Sequence, residues 1–141
     1  MMNRYISDAL RNLVFERANH RCEYCKAYAQ TSFFTFHIEY IISLKHGGHT
    51  ISENLALACP LCNINKGSDL GTFIDNPTQL IRFYNPRIDS WNEHFFLEET
   101  GFLSEKSLIG KATIKILNIN HPDSIIERRE MIRLNIFWDW S

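Results

Sequence analysis

Two cysteine pairs, Cys22-Glu-Tyr-Cys25 and Cys59-Pro-Leu-Cys62, constrain this chain more than any other feature of it. Two such knuckles can place four thiolates tetrahedrally around one Zn²⁺. The 33 residues between them exceed the roughly 15–20 of the commonest spacing. Four free buried cysteines are the competing reading, but paired knuckles are hard to obtain by accident. A closed site uses all four sulfurs, so a zinc held there is structural and not a reaction centre. In a reducing cytosol, four cysteines more often hold a metal than form disulfides.

The segment between and beyond the knuckles reads as a compact unit. SFFTFHIEYIISL at 32–44 is rich in aromatic and β-branched residues and predicts a strand. KHGGHTISEN at 45–54 carries Gly47–Gly48, a turn signal. Leu55 to Cys59 continues as a return strand, and Pro60 suits the first turn of a helix running through Asn63 and Lys66 towards Leu70. Upstream, residues 5–19 place Ile6, Leu10, Leu13, Val14 and Ala18 at a helical period, with Ser7 or Asp8 as N-cap.

Downstream the pattern changes. LIRFYNPR leads into SWNEHFFLEETGFLSEK, which predicts a hairpin turning near Thr100–Gly101. A helix follows at about 107–118. A second follows His121–Pro122, opened by Asp123 or Ser124, with Glu127 completing a capping box from Ser124. Its IIERREMIRL sequence is amphipathic, with its charges read as a solvated face. Phe137, Trp138 and Trp140 read as packing residues, since aromatics bury large areas.

Length and charge narrow the rest. At 141 residues the chain predicts a single domain, residues 1–141, with a core at about 14–70 and an elaboration at about 80–141. Residues 1–70 hold seven basic and six acidic side chains, and residues 71–141 hold eight and ten. Neither half is a basic arm, so any nucleic-acid contact must come from a local patch. No apolar run approaches the roughly 18 residues of a membrane span, and no signal-peptide pattern opens the chain. The expectation is a soluble, cytoplasmic protein without a membrane partner.

Taken together, "CEYC", "FHIEYII", "HGG", "ENLALAC" and "CPLCNINKG" resemble the HNH endonuclease family over about residues 14–70. "FYNPRIDSWNEHF" and "LIGKATIKILNIN" are similar to the tail of a bacterial HNH subfamily. The resemblance implies an α+β fold: a ββα-metal (His-Me finger) core stapled by a four-cysteine zinc site, with flanking helices and a C-terminal hairpin plus helices. It implies DNA as substrate and a catalytic Mg²⁺ or Mn²⁺ that clamps the scissile phosphate. Glu39 would be the acidic ligand of that ion, where the family more often has Asp. Asn63 would be the helix ligand, where many members have His; capping the helix is its plainer role. Asn54 resembles the central Asn that fixes the loop between the strands. Lys66 would reach a phosphate, or else be an ordinary surface lysine.

The departure is Tyr40. The family places a general-base His after the acid. An unperturbed Tyr has a pKa of about 10 against about 6.5 for His, so about one in a thousand is anionic at pH 7. Losing a general base typically costs about 10²–10⁴-fold. The expectation is therefore an impaired nuclease. The alternative is an inactive, zinc-stabilised nucleic-acid-binding or protein-interaction module. His37 is a possible substitute base, two residues before Glu39 on the same strand face. His46 and His49 sit in the turn loop. Tyr40 shares the other face with Phe34, Phe36 and Ile38, so a core aromatic is the plainer reading of it.

Overall fold

A computed structural model describes residues 5–29 and 35–136. The chain divides into two compact units, residues 1–70 and 71–141.

The first unit opens with α1, Asp8–Arg17, capped by Ser7, whose Oγ accepts from the Leu10 N–H at 3.1 Å. Only Val14 of the expected apolar stripe is wholly buried, and Leu13 is 46% exposed. Strand β1, His37–Tyr40, pairs antiparallel with β2, Leu55–Ala58, in the register Glu39 to Ala56 and Tyr40 to Leu55. β1 is shorter than the sequence predicts. The Ile41 N–H still reaches the Asn54 carbonyl at 2.9 Å, one step further in the same register, and the Asn54 side chain takes the next N–H, that of Ile42, into the loop. The part of the predicted strand at 32–34 lies outside the described residues. Every residue of β2 is buried, so it forms the centre of this unit. Helix α2, Pro60–Lys66, has Cys59 as N-cap and Pro60 in its first turn. It stops at Gly67, before the predicted Leu70, where φ of +51° takes the chain out of helical geometry.

The two loop glycines are required for different reasons. Gly47 has φ of +91°, a conformation that L side chains rarely adopt, with open space around its α-carbon. At Gly48 the constraint is room: a β-carbon there would lie 1.8 Å from the Ile42 carbonyl oxygen.

Among the described residues, the second unit contains two hairpins and three helices. β3, Gly71–Phe73, pairs with β4, Leu80–Arg82, a hairpin absent from the sequence reading. SWNEH does not extend the next hairpin: Trp91–His94 form a short helix, α3. β5, Phe95–Leu97, and β6, Leu103–Glu105, then pair around Gly101, whose φ is +91°. Helix α4 spans Leu108–Leu117 from its cap Ser107. Helix α5 spans Pro122–Arg133. Its cap is His121, whose Nδ1 accepts from the Asp123 N–H at 3.1 Å, and neither Asp123 nor Ser124 serves. Proline fits the first helical position because its missing N–H would lack a partner there.

Arg128 overturns the solvated-face reading of α5. It is 1% exposed, and its guanidinium donates to the Gly101 carbonyl at 2.7 Å and to Asn120 Oδ1 at 3.0 Å. It ties the helix to the hairpin turn, where an open carbonyl needs a donor. The terminal Phe137, Trp138 and Trp140 lie outside the described residues.

Gly48→Ala should lower the stability of the zinc-loaded protein by about 2 kcal/mol or more, because a rigid backbone atom fills the space. Gly47→Ala meets only the left-handed conformation and should cost about 1–2 kcal/mol. Thermal denaturation of the two variants measures the difference.

Candidate metal centre and nuclease site

The four cysteine sulfurs lie within 4.8 Å of one another, and all four residues are buried. Cys25 and Cys59 Sγ are 3.6 Å apart. A tetrahedron with Zn–S bonds of about 2.3 Å has edges of about 3.8 Å, so the cluster has the size of a zinc site. A disulfide needs about 2.05 Å and is excluded at that pair. Each knuckle also turns a backbone N–H onto its first sulfur, Cys25 onto Cys22 at 3.5 Å and Cys62 onto Cys59 at 3.4 Å. Sulfur contacts with Cys22 and its neighbours, followed by burial, push the Cys25 and Cys62 thiols well above their ordinary range. Zn²⁺ binds thiolates, so its uptake must expel those protons. Among the described residues no other group of three or more His, Cys, Asp or Glu side chains is placed to hold a metal.

Glu39 lies at the centre of a second, separate cluster. It is 6% exposed, the most buried residue of β1. Its Oε1 is 3.2 Å from Lys66 Nζ, and the Tyr24 hydroxyl donates to its two oxygens at 3.3 and 3.1 Å. Burial pushes the Glu39 carboxyl up to about 7, against the opposing pull of Lys66 and Tyr24. Burial, followed by the Glu39 charge, raises the Tyr24 phenol well above its ordinary value.

Lys66 is 3% exposed. Its ammonium also donates to the Ile41 carbonyl at 2.9 Å and the Tyr40 carbonyl at 3.3 Å. Asn63 is half-exposed in α2. It does not cap the helix, since Cys59 does. No hydrogen bond or ion pair joins Asn63 to Glu39 among the described residues. Asn54 is buried and bridges the loop. Its side chain accepts from the Ile42 N–H at 2.9 Å and donates to the Ile42 and His49 carbonyls at 2.8 and 3.0 Å.

Tyr40 is half-buried, with its hydroxyl 3.0 Å from Thr50 Oγ1. His37, His46 and His49 are all exposed. Thus His37 and Glu39 share a strand alternation but not an environment.

Tyr24 was missed in the sequence because nothing about a tyrosine between two cysteines announces a carboxylate partner. Glu23 was missed for the same reason. It is buried, and its Oε2 accepts from the Leu57 N–H at 2.9 Å, joining the first knuckle to β2.

Strand, glycine loop, strand and helix closed by four cysteines define a zinc-stapled ββα-metal domain, with residue 40 at the end of its first strand. Residues 22–69 match the HNH endonuclease family model. The match covers about a third of the chain and none of the second unit. No curated protein and no solved structure matches the chain.

Elemental analysis should find close to one zinc per chain, and Cys59→Ser should sharply lower thermal stability. A fully folded, metal-free protein with four reduced thiols would sink the assignment. A second outcome concerns Glu39, with pKa about 7 folded against the ordinary 4.5. Between those values the folded state holds more protons than the unfolded one. The Glu39 contribution to stability therefore declines as pH rises from about 4.5 to about 7, and is level above that. The stability of the zinc-loaded wild type relative to zinc-loaded Glu39→Gln should therefore fall across this window, read by denaturation of both.

Proposed function

We propose that this chain is an HNH-type endonuclease that hydrolyses DNA phosphodiester bonds in the cytoplasm, impaired by Tyr40 at the general-base position. The observation that carries the reading is the coincidence of the family match at 22–69 with a zinc-stapled ββα unit. Such a nuclease needs a divalent cation, Mg²⁺ or Mn²⁺, to stabilise charge on the scissile phosphate and leaving oxygen. The Glu39–Asn63 ligand pair does not fit that ion in this structure. Mg²⁺ demands near-octahedral oxygen coordination at about 2.0–2.1 Å and retains several waters. The Glu39 carboxylate is instead enclosed by Lys66 and Tyr24.

The chain's own residues support the reading in other ways. Asn54 clamps the loop on both sides of Ile42, so the end of β1 is held in one geometry. Position 40 follows from that backbone, and in wild type it presents a phenol bonded to Thr50. Exposed His37 offers an imidazole on the same strand. We read the two units together as one functional domain, with residues 71–141 an elaboration of unassigned role.

The second reading, a nucleic-acid-binding module without turnover, is favoured by the same Tyr40 hydroxyl. Its bond to Thr50 gives the residue a packing role that needs no chemistry.

Plasmid nicking with Mg²⁺, Mn²⁺ or EDTA separates the readings. Tyr40→His should raise metal-dependent cleavage by about 10²–10⁴-fold, with a pH profile rising through about 6.5. If His37→Ala kills wild-type activity while Tyr40→His adds nothing, His37 is the base. If no variant cuts DNA but the wild type binds it, the module reading holds. Binding should then weaken steeply with salt, as phosphate contacts release counterions.

A further inference from the structure

We propose that Glu39 and Lys66 are a buried positioning pair that fixes the backbone of residues 40 and 41, and that Glu39 is not a ligand of the catalytic cation. The starting observation is the match of donors and acceptors around one ammonium. A lysine ammonium has three N–H donors. Lys66 Nζ has three oxygen neighbours: Ile41 O at 2.9 Å, Glu39 Oε1 at 3.2 Å and Tyr40 O at 3.3 Å. The donors and acceptors match one for one, and the ammonium has none left for a phosphate.

The cost of burial explains why Glu39 is there. A lone ammonium 3% exposed would be strongly disfavoured, and two carbonyls do not neutralise it. Above about pH 7 the ionised Glu39 supplies the counter-charge, and its side chain is 5% exposed. The Tyr24 hydroxyl closes the carboxylate from the other side. A cation seated on Glu39 would have to share the carboxylate with the Lys66 ammonium on Oε1 and the Tyr24 hydroxyl, and would meet the repulsion of a buried positive charge beside it. The acid of the strand and the lysine of the helix thus serve each other.

The consequence falls on position 40. Lys66 holds the carbonyls of residues 40 and 41 from α2. Asn54 holds the N–H groups of residues 41 and 42 from the loop, through its backbone and side-chain oxygens. Two independent clamps therefore set the chain direction at the base position. A base must be held within a fraction of an ångström to work, so such clamps affect turnover without touching substrate.

The test uses the full-length, zinc-loaded chain and needs no cleavage for its main readout. Glu39→Leu and Lys66→Met should each lower Tm by more than about 10 °C, because each leaves its partner unpaired. The double variant should recover most of that loss, because an apolar pair can replace a buried ion pair. Mn²⁺ binding, read by paramagnetic broadening of NMR signals, should stay within about threefold of wild type in Glu39→Gln and in the double variant. In the Tyr40→His background, Lys66→Met should lower kcat with little change in KM or salt dependence.

A Mn²⁺ affinity loss of about tenfold or more in a variant that keeps its zinc overturns the proposal. So does a steep change in KM and salt dependence on losing Lys66, which would mark a phosphate contact. If wild type binds no Mn²⁺, the recovery of Tm decides, and strictly additive losses overturn the pair. The cleavage arm rests on the nuclease reading. Failure of every variant to cut DNA would refute that reading and leave the Tm outcome to judge the pair.

Discussion

Four sulfurs converging on one point hold the first unit together. Cys22 and Cys59 are far apart in sequence, and closing a loop of that length costs conformational entropy that a small core offsets poorly. The buried set around them is modest: β2, Val14, Tyr24, Phe36 and Ile41 supply most of it. A zinc site adds binding free energy to folding and sets the base of the strand pair at the same time. The cap of α2 shows how closely these parts are joined. Cys59 directly follows β2, caps the helix and belongs to the cluster, so one residue links strand, helix and metal site.

Polar groups then build outward from that staple. Glu23, inside the first knuckle, accepts the N–H of Leu57, and Arg17 of α1 donates to the carbonyl of Leu55 at 2.8 Å. Tyr24, also inside the knuckle, closes the Glu39 carboxylate, and Lys66, at the end of α2, closes it from the helix. Each contact uses a group that burial would otherwise penalise. The cysteine cluster and the end of β1 are therefore mechanically connected. The position where the family carries its general base inherits this rigidity, whether His or Tyr stands there.

The second unit uses a similar device without a metal. Arg128, buried on α5, satisfies the open carbonyl of Gly101 at the hairpin turn and the side chain of Asn120. In the same unit Tyr84, Trp91 and Phe95 pack ring against ring: the Phe95 centroid lies 5.4 Å from that of Tyr84 and 5.1 Å from that of Trp91. A turn, a helix and an aromatic cluster are held by one cation and contact area.

The sequence alone determined much of the local structure and the metal chemistry. Cysteine spacing, a glycine pair, Pro60 after Cys59 and the helical period of α1 are short-range signals, legible because their causes lie within a few residues. Tyr40 was visible as an anomaly for the same reason. The lengths of β1 and α2 were not legible, since the side chain of distant Asn54 takes the Ile42 N–H and Gly67 adopts φ of +51°. Nor was the cap of α5, where an imidazole replaced the expected Asp or Ser. The fates of Glu39, Lys66 and Arg128 were decided only by tertiary structure. A charged side chain reads as a ligand, a phosphate contact or a solvated face until its neighbours are known. Whether it is buried, and which oxygen or ammonium meets it there, depends on segments brought together from across the chain.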